Sequence, residues 1–330
     1  MRHLLVTAAF CLASTAAQAV DISAAVDEHI LPGYAGLAEK SRQLHAAAEA
    51  ECRPESPALL AAYGEAFDAW VRISHLRFGP SEQNNRAFAL AFWPDPRGAT
   101  PKALARLMAV GQGSLGTLDT FQTVSIAARG FYAMEFLLFD AQFRAAEDAE
   151  TRCALVQLLA ADIADTSADI LAAWQDSYAD LMRNAGSNDI YRSEAEAAQQ
   201  LFTAASTGLE FTSQVRLGRP MGSFERPRPN RAEARRSGRS LRHVVLSLEG
   251  TRDLVGHLSD DDAQIDAAFA AAIARAGVLD DPVFAGVADI QGRLRVEVLQ
   301  QSVETIRQVI AQDLAPRLGI AAGFNALDGD

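Results

Sequence analysis

Apolar residues recur at helical spacing along almost the whole chain. Leu155, Leu159, Ile163, Ile170, Trp174, Tyr178 and Leu181 keep to steps of three and four, or multiples of them. Such a stripe turns one face of a helix toward a partner surface. Val287, Ile290, Leu294 and Val298 repeat the pattern near the end. No stretch sustains the period-two alternation of a half-buried strand. The pattern predicts an all-α protein, with helical stretches at 22–51, 56–78, 101–117, 119–143, 148–185, 191–215, 236–258, 260–276 and 284–314. Proline-bearing segments at 79–100 and 216–235 read as long irregular loops.

Those loops begin alike, with Arg77-Phe78-Gly79-Pro80 in one and Arg216-Leu217-Gly218-Arg219-Pro220 in the other. At the same offset of 139, Tyr63 aligns with Phe202. A long helix pair precedes each loop and shorter helices follow. The expectation is two tandem helical-bundle domains, 20–147 and 148–330, related by a diverged internal duplication. The competing reading is that Arg-x-Gly-Pro is simply a common way to end a helix.

Composition supports helices. The 330 residues are 49% apolar, rich in alanine and only 7% aromatic, whereas sheets favour β-branched and aromatic side chains. A net charge of −12 argues against nucleic acid as a partner, because phosphates repel an acidic surface. Residues 1–19 read as an export signal. A polar start at Arg2 and His3 leads into the apolar run Leu4 to Ala13, and Ala17-Gln18-Ala19 supplies a small–x–small cleavage pattern. Cleavage is expected after Ala19, with a periplasmic mature chain. Phe10 before Cys11 is too bulky for a lipoprotein processing site. No later segment has 18 consecutive apolar residues, so no transmembrane segment is expected in the mature chain. Cys52 and Cys153 then remain, and an oxidising compartment favours one disulfide between them over two buried thiols.

Charge is unevenly spread. Residues 216–242 hold nine arginines against Glu225 and Glu233. This basic run suits either a pocket for carboxylate or phosphate groups or a loop docked on the acidic first bundle. The other informative stretch is Arg129-Gly130-Phe131-Tyr132-Ala133-Met134-Glu135-Phe136-Leu137-Leu138-Phe139. On a helix, Glu135 sits among large apolar groups, so its carboxylate needs hydrogen bonds, a cation or a metal. Tyr132, three residues earlier, shares its face. Glu135 is therefore a site candidate, or one half of a structural ion pair.

This stretch resembles the signature of the imelysin family, Gly-x-His-x-x-Glu in an apolar helix, with Gly130 and Glu135 matching and Tyr132 at the histidine position. Other motifs are similar to the family's in the same order: His29-Ile30-Leu31-Pro32, Trp70-Val71-Arg72, Arg77-Phe78-Gly79-Pro80 and Phe92-Trp93-Pro94-Asp95. Arg236-Ser237 with Ser240-Leu241-Arg242 follows, then the tail Gly323-Phe324-Asn325-Ala326-Leu327-Asp328-Gly329-Asp330. The resemblance implies an exported protein of two four-helix-bundle-like domains, tied to bacterial iron acquisition, in a family named for a metalloprotease activity.

Tyr132 changes the chemistry this resemblance implies. A neutral imidazole suits zinc or ferrous iron, whereas a phenol with a pKa near 10 is a poor ligand until a strong Lewis acid removes its proton. Zinc hydrolysis also wants three protein ligands and an open position, and no His-Glu-x-x-His helix occurs in the chain. Two readings stay open for the candidate site. Tyr132 and Glu135, as hard oxygen donors, bind ferric iron or lie against an iron-loaded ligand. Alternatively, Glu135 pairs with Arg77 or Arg236 in a polar pocket at the domain junction, where Gly130, Trp93, Ser237 and Ser240 complete the wall. Iron is the one cofactor the sequence brings into view. The histidines read as weak evidence: His243 and His257 as two exposed residues on one helix, and His29, His45 and His75 as polar helix edges. Ser259 with Asp260, Asp261 and Asp262 reads as a helix N-cap and acidic first turn. The function expected first is a non-catalytic binding or accessory protein for an iron chelate or other anionic small ligand, working with envelope iron-uptake proteins. A metal-dependent peptidase and a structural docking protein are the alternatives.

Overall fold

The computed structural model describes residues 20–145 and 148–320. The export signal at 1–19 and the tail motif at 323–330 lie outside the described residues. Among the described residues nine main helices carry the architecture. They are α1 (Leu31–Ala50), α2 (Pro57–Ile73), α3 (Ala99–Val110), α4 (Gly130–Phe139), α5 (Ala149–Ala173), α6 (Glu194–Glu210), α7 (Ser240–Ser259), α8 (Ala263–Gly277) and α9 (Ile290–Val309). No strand occurs among the described residues beyond one isolated bridge between Ser223 and Arg226. The fold is all-α.

Local chemistry sets the helix starts. Ser56 accepts from Leu59 N with Pro57 in the first turn, Asp148 from Thr151 N, Ser193 from Glu196 N and Asp289 from Gln291 N and Gly292 N. The acidic run after Ser259 behaves similarly: Asp262 caps α8 through Gln264 N and Ile265 N, while Ser259 ends α7. Several helices continue through wide π-type turns, at Ala25–Ile30 before α1, Trp174–Tyr178 after α5, Phe211–Leu217 after α6 and Ile310–Leu314 after α9.

The helices pack as two groups. In the first, α1 lies between α2 and α5, α4 packs on α5 and α2, and α3 packs on α4. In the second, α7 packs on α6 and α8, and α9 packs on α6 and α8. The groups meet chiefly where α2 lies along α7, and buried apolar side chains form one continuous core through both. The cut expected at 147 would separate α5 from α1 and α4, its packing partners; a division by packing falls after Ala179–Arg183 instead. Cys52 and Cys153 form a disulfide with Cα atoms 5.1 Å apart, tying the α1–α2 turn to the first turn of α5.

Three expectations change. The helix expected over 119–143 is broken into Leu118–Phe121, a tight turn at Ile126–Ala128, and α4. The irregular segment expected at 216–235 starts later, because helix runs on through Gly218–Met221. On α9 the residues Ile290, Leu294 and Val298 are exposed. A longer stripe, Val296, Leu299, Val303 and Ile306, faces the core instead, since the face with more apolar positions gains more by burial.

Candidate functional site

Gly130 positions the site. Its φ is +73°, and a Cβ there would lie 2.2 Å from the carbonyl oxygens of both Ala89 and Leu90. Only glycine permits that approach. It seats the first turn of α4 on the segment leading to Trp93, whose ring lies 6.1 Å from that of Tyr132 at 25°. Across the seam, the π-type turn Phe211–Leu217 carries Thr212 and Arg216 inward, as extra-residue turns often do at functional sites.

The buried centre is Glu233, which is 1% exposed and lies in the arginine-rich connection. Arg216 Nε donates to Glu233 Oε2 at 2.7 Å, and the Tyr132 hydroxyl donates to Glu233 Oε1. His243 Nδ1 stands 3.4 Å from Oε2. The rest of the Arg216 guanidinium donates to Thr212 Oγ1, Ser247 Oγ and Ser74 Oγ, so a buried ion pair has its remaining donors satisfied. Burial pushes the Glu233 carboxyl up, but Arg216, then His243 and the Tyr132 hydroxyl, outweigh it and hold the pKa at about 2. Burial and the Glu233 charge push the Tyr132 phenol well above its usual range. The phenol stays neutral.

Glu135 is also buried, 2% exposed, but in different company. Its Oε1 accepts from Ser237 N at 2.9 Å and Ser237 Oγ at 2.7 Å. Burial raises its pKa, and the two Ser237 donors only partly oppose that. Neither expected arginine reaches it as a partner. Arg77 pairs with Glu82 and stacks on Phe88; Arg236 pairs with Asp140 at 2.6 Å and lies over Phe136. Arg77 meets Glu82, five residues along the chain, and Arg236 meets Asp140 at the end of α4, 96 residues away in sequence. Ser240 Oγ is spent on the Glu233 carbonyl. The arginine-rich connection divides: Arg239 and Arg242 dock on Asp68 of the first group, whereas Pro229–Arg231 packs against Ala285–Ala288 in the second.

The residues do not fit the expected iron donor pair. Tyr132 is committed to Glu233 and Glu135 to Ser237, and no hydrogen bond joins the two. Among the described residues no three His, Cys, Asp or Glu side chains converge as a metal ion requires.

A cavity of about 500 Å³ opens between the groups, walled by Trp70, Trp93, Tyr132, Phe211, Arg216 and Glu233. Arg77, Gln200, Gln214 and His75 also reach it. The expected residues Trp93, Tyr132 and Arg77 are thus brought together; Glu135, Ser237, Arg236 and Ser240 lie outside its lining. A wider hollow of about 660 Å³ along α7 and α8 is edged by the pairs Arg72–Glu249 and Arg252–Asp266.

Sequence reading missed Glu233, Arg216, His243 and His75. His243 is fully buried against Phe67, not exposed. His75 and His29 are buried and joined Nε2 to Nε2 at 3.1 Å, with His29 Nδ1 held 2.7 Å from Asp253 Oδ2. Burial, then His29 and Arg216, lowers the His75 pKa well below its usual value. One available signal was the position of Glu233 in a basic run, where an acid has several arginines within reach in sequence.

Fold and site define an all-helical protein whose two helix groups enclose a polar and aromatic cavity. The imelysin family model matches residues 30–310, and the chain belongs to the imelysin family. It is 22% identical over 319 residues to iron-regulated protein A of Synechococcus elongatus, covering 88% of this chain and 84% of that one. An imelysin-like protein from Psychrobacter arcticum 273-4 has a similar crystal structure, with a TM-score of 0.73 at 17% identity over 92% of this chain and 96% of that one. A protein from Parabacteroides distasonis, described as an iron-regulated protein A precursor, gives 0.68 at 16% identity over 89% and 96%.

Proposed function

We propose that this protein is an exported, non-catalytic binding or accessory protein of iron or iron-chelate acquisition. Its ligand lies in the cavity between two tandem helical domains related by duplication. One observation carries the reading: the cavity combines an aromatic wall, Trp93 with Tyr132 and Phe211, and a prearranged buried ion pair, Arg216–Glu233, at the seam of the two groups. Ligand sites favour such concave, largely apolar seams with a few fixed polar groups. Relatives described as iron-regulated supply the iron context, and one described as a precursor supports export. Among the described residues no helix is long and apolar enough to cross a membrane. The duplication gains support because Arg77 and Arg216, matched at the common offset, both reach the cavity.

The test is titration of the purified protein with ferric hydroxamate and ferric catecholate chelates, followed by tryptophan fluorescence. Saturable quenching that disappears in Trp93→Leu is expected. Absence of saturable binding, or binding indifferent to Trp93→Leu, contradicts the reading.

A further inference from the structure

Beyond the cavity, the arginine-rich connection turns outward. After Met221 the chain reverses through a tight turn at Ser223–Arg226 and continues as Arg226-Pro227-Arg228-Pro229-Asn230-Arg231. The prolines fix φ at their own positions, so the alternating arginines sit on a stiff backbone. That backbone is pinned to the second group. Arg228 N donates to the Pro220 carbonyl at 2.8 Å, and Arg293 Nη1 of α9 donates to the carbonyls of Met221 at 2.7 Å and Ser223 at 3.1 Å. Arg226, Arg228 and Arg231 are all exposed, and among the described residues none of their guanidinium groups meets an acid. Arg216, Arg236, Arg239 and Arg242 of the same connection are each paired.

Apolar side chains stand beside these free cations. Phe224 is 66% exposed and its ring is met by the Arg293 guanidinium, 5.7 Å from the centroid. On α9, Ile290 and Leu294 lie on either side of Arg293 in sequence and are exposed as well. Pro229–Arg231 packs against Ala285–Ala288, just before that helix begins. Nearby acids are already engaged: Asp281 and Asp289 accept from backbone amides, and Glu297 accepts from Arg293. Within the turn, Glu225 alone opposes the three arginines.

We propose that this face, Phe224, Ile290 and Leu294 together with Arg226, Arg228 and Arg231, docks the protein on an anionic phospholipid surface. Guanidinium groups bind phosphates through paired N–H donors, while singly exposed aromatic and aliphatic side chains enter the boundary between headgroups and acyl chains. Neither cavity reaches these residues, so no walled pocket is offered to a small ligand here. The chain carries a net charge of −12, so an anionic membrane repels most of it and selects this face. The docking surface is independent of the cavity reading.

The test is co-sedimentation of the purified protein with phosphatidylglycerol vesicles and with phosphatidylcholine vesicles, at low and at high salt. Binding to phosphatidylglycerol alone is expected, weakening as salt rises. Each arginine at a charged bilayer contributes about fivefold, so the triple variant Arg226→Gln, Arg228→Gln, Arg231→Gln should bind about a hundredfold more weakly. Its urea midpoint should not move, because these side chains have no partner to lose. Phe224→Ala should weaken binding about tenfold and leave the salt dependence intact. No binding to phosphatidylglycerol, equal binding to both lipids, or binding that survives the triple substitution overturns the proposal. Capture of polyglutamate in place of vesicles would assign the arginines to an acidic protein, and a lipid-free dimer abolished by the triple substitution would assign them to a second copy. Either result also overturns it.

Discussion

Glu135 and Glu233 are both buried glutamates beside the same helix, yet they end in opposite states. Glu233 has a guanidinium, an imidazole and a phenol around it, and its pKa falls to about 2 from an ordinary 4.5. Glu135 accepts hydrogen bonds from the hydroxyl and amide of Ser237, with weaker help from the charges of Arg236 and His243, and burial outweighs them, so its pKa rises. Burial opposes ionisation in both, so the difference is made by partners. The motif glutamate is therefore the less charged of the two. The group that shapes the cavity lies in the other helix group, 101 residues from the tyrosine that binds it.

The largest test of this contrast is Glu233→Gln, which strands the buried Arg216 without a counter-charge. Such a loss costs about 3–5 kcal/mol, read as a lower urea midpoint. Adding Arg216→Met should recover much of it, because an uncharged pair no longer pays for desolvation. Tyr132→Phe removes one donor to an ionised carboxylate and should cost about 1.5–3 kcal/mol. Ser237→Ala removes one donor from Glu135 and should cost about 1 kcal/mol at pH 7. Its cost should shrink toward pH 4, where the carboxyl is protonated. Glu135→Gln should be the mildest change, within about 1 kcal/mol at pH 7, since an amide keeps an acceptor for Ser237 and carries no charge to bury.

The pH dependence separates the two residues by sign. The depressed folded value of Glu233 gives stability that is present above about pH 4.5 and lost as pH falls toward 2. Glu135, with a raised folded value, contributes fully below 4.5 and loses that contribution as pH rises through its folded pKa. Glu233→Gln should flatten the acid limb of a stability profile, and Glu135→Gln the slope above pH 4.5.

Helical periodicity made the fold class legible, and the crowding of apolar residues around Glu135 made its burial legible. Its contact with Ser237 joins two residues the sequence had placed in one site. The partners of Arg77 and Arg236 were not legible, because each cation meets whichever acid the turns bring within reach, Glu82 or Asp140. The break before α4 was hidden for a similar reason. Gly130 begins a helix where the apolar pattern runs on, and what demands glycine is the backbone of Ala89 and Leu90, forty residues away. The histidines show the same limit: nothing local tells a buried His243 from a half-exposed His257.

The most direct measurement is carbon-13 NMR titration of glutamate carboxyls, with Glu135→Gln and Glu233→Gln spectra assigning the two signals by difference. The Glu233 carboxyl should remain ionised down to the acid limit of the fold, while the Glu135 carboxyl protonates with a midpoint above 4.5. Coincident midpoints, or Glu233 protonating first, would contradict the account.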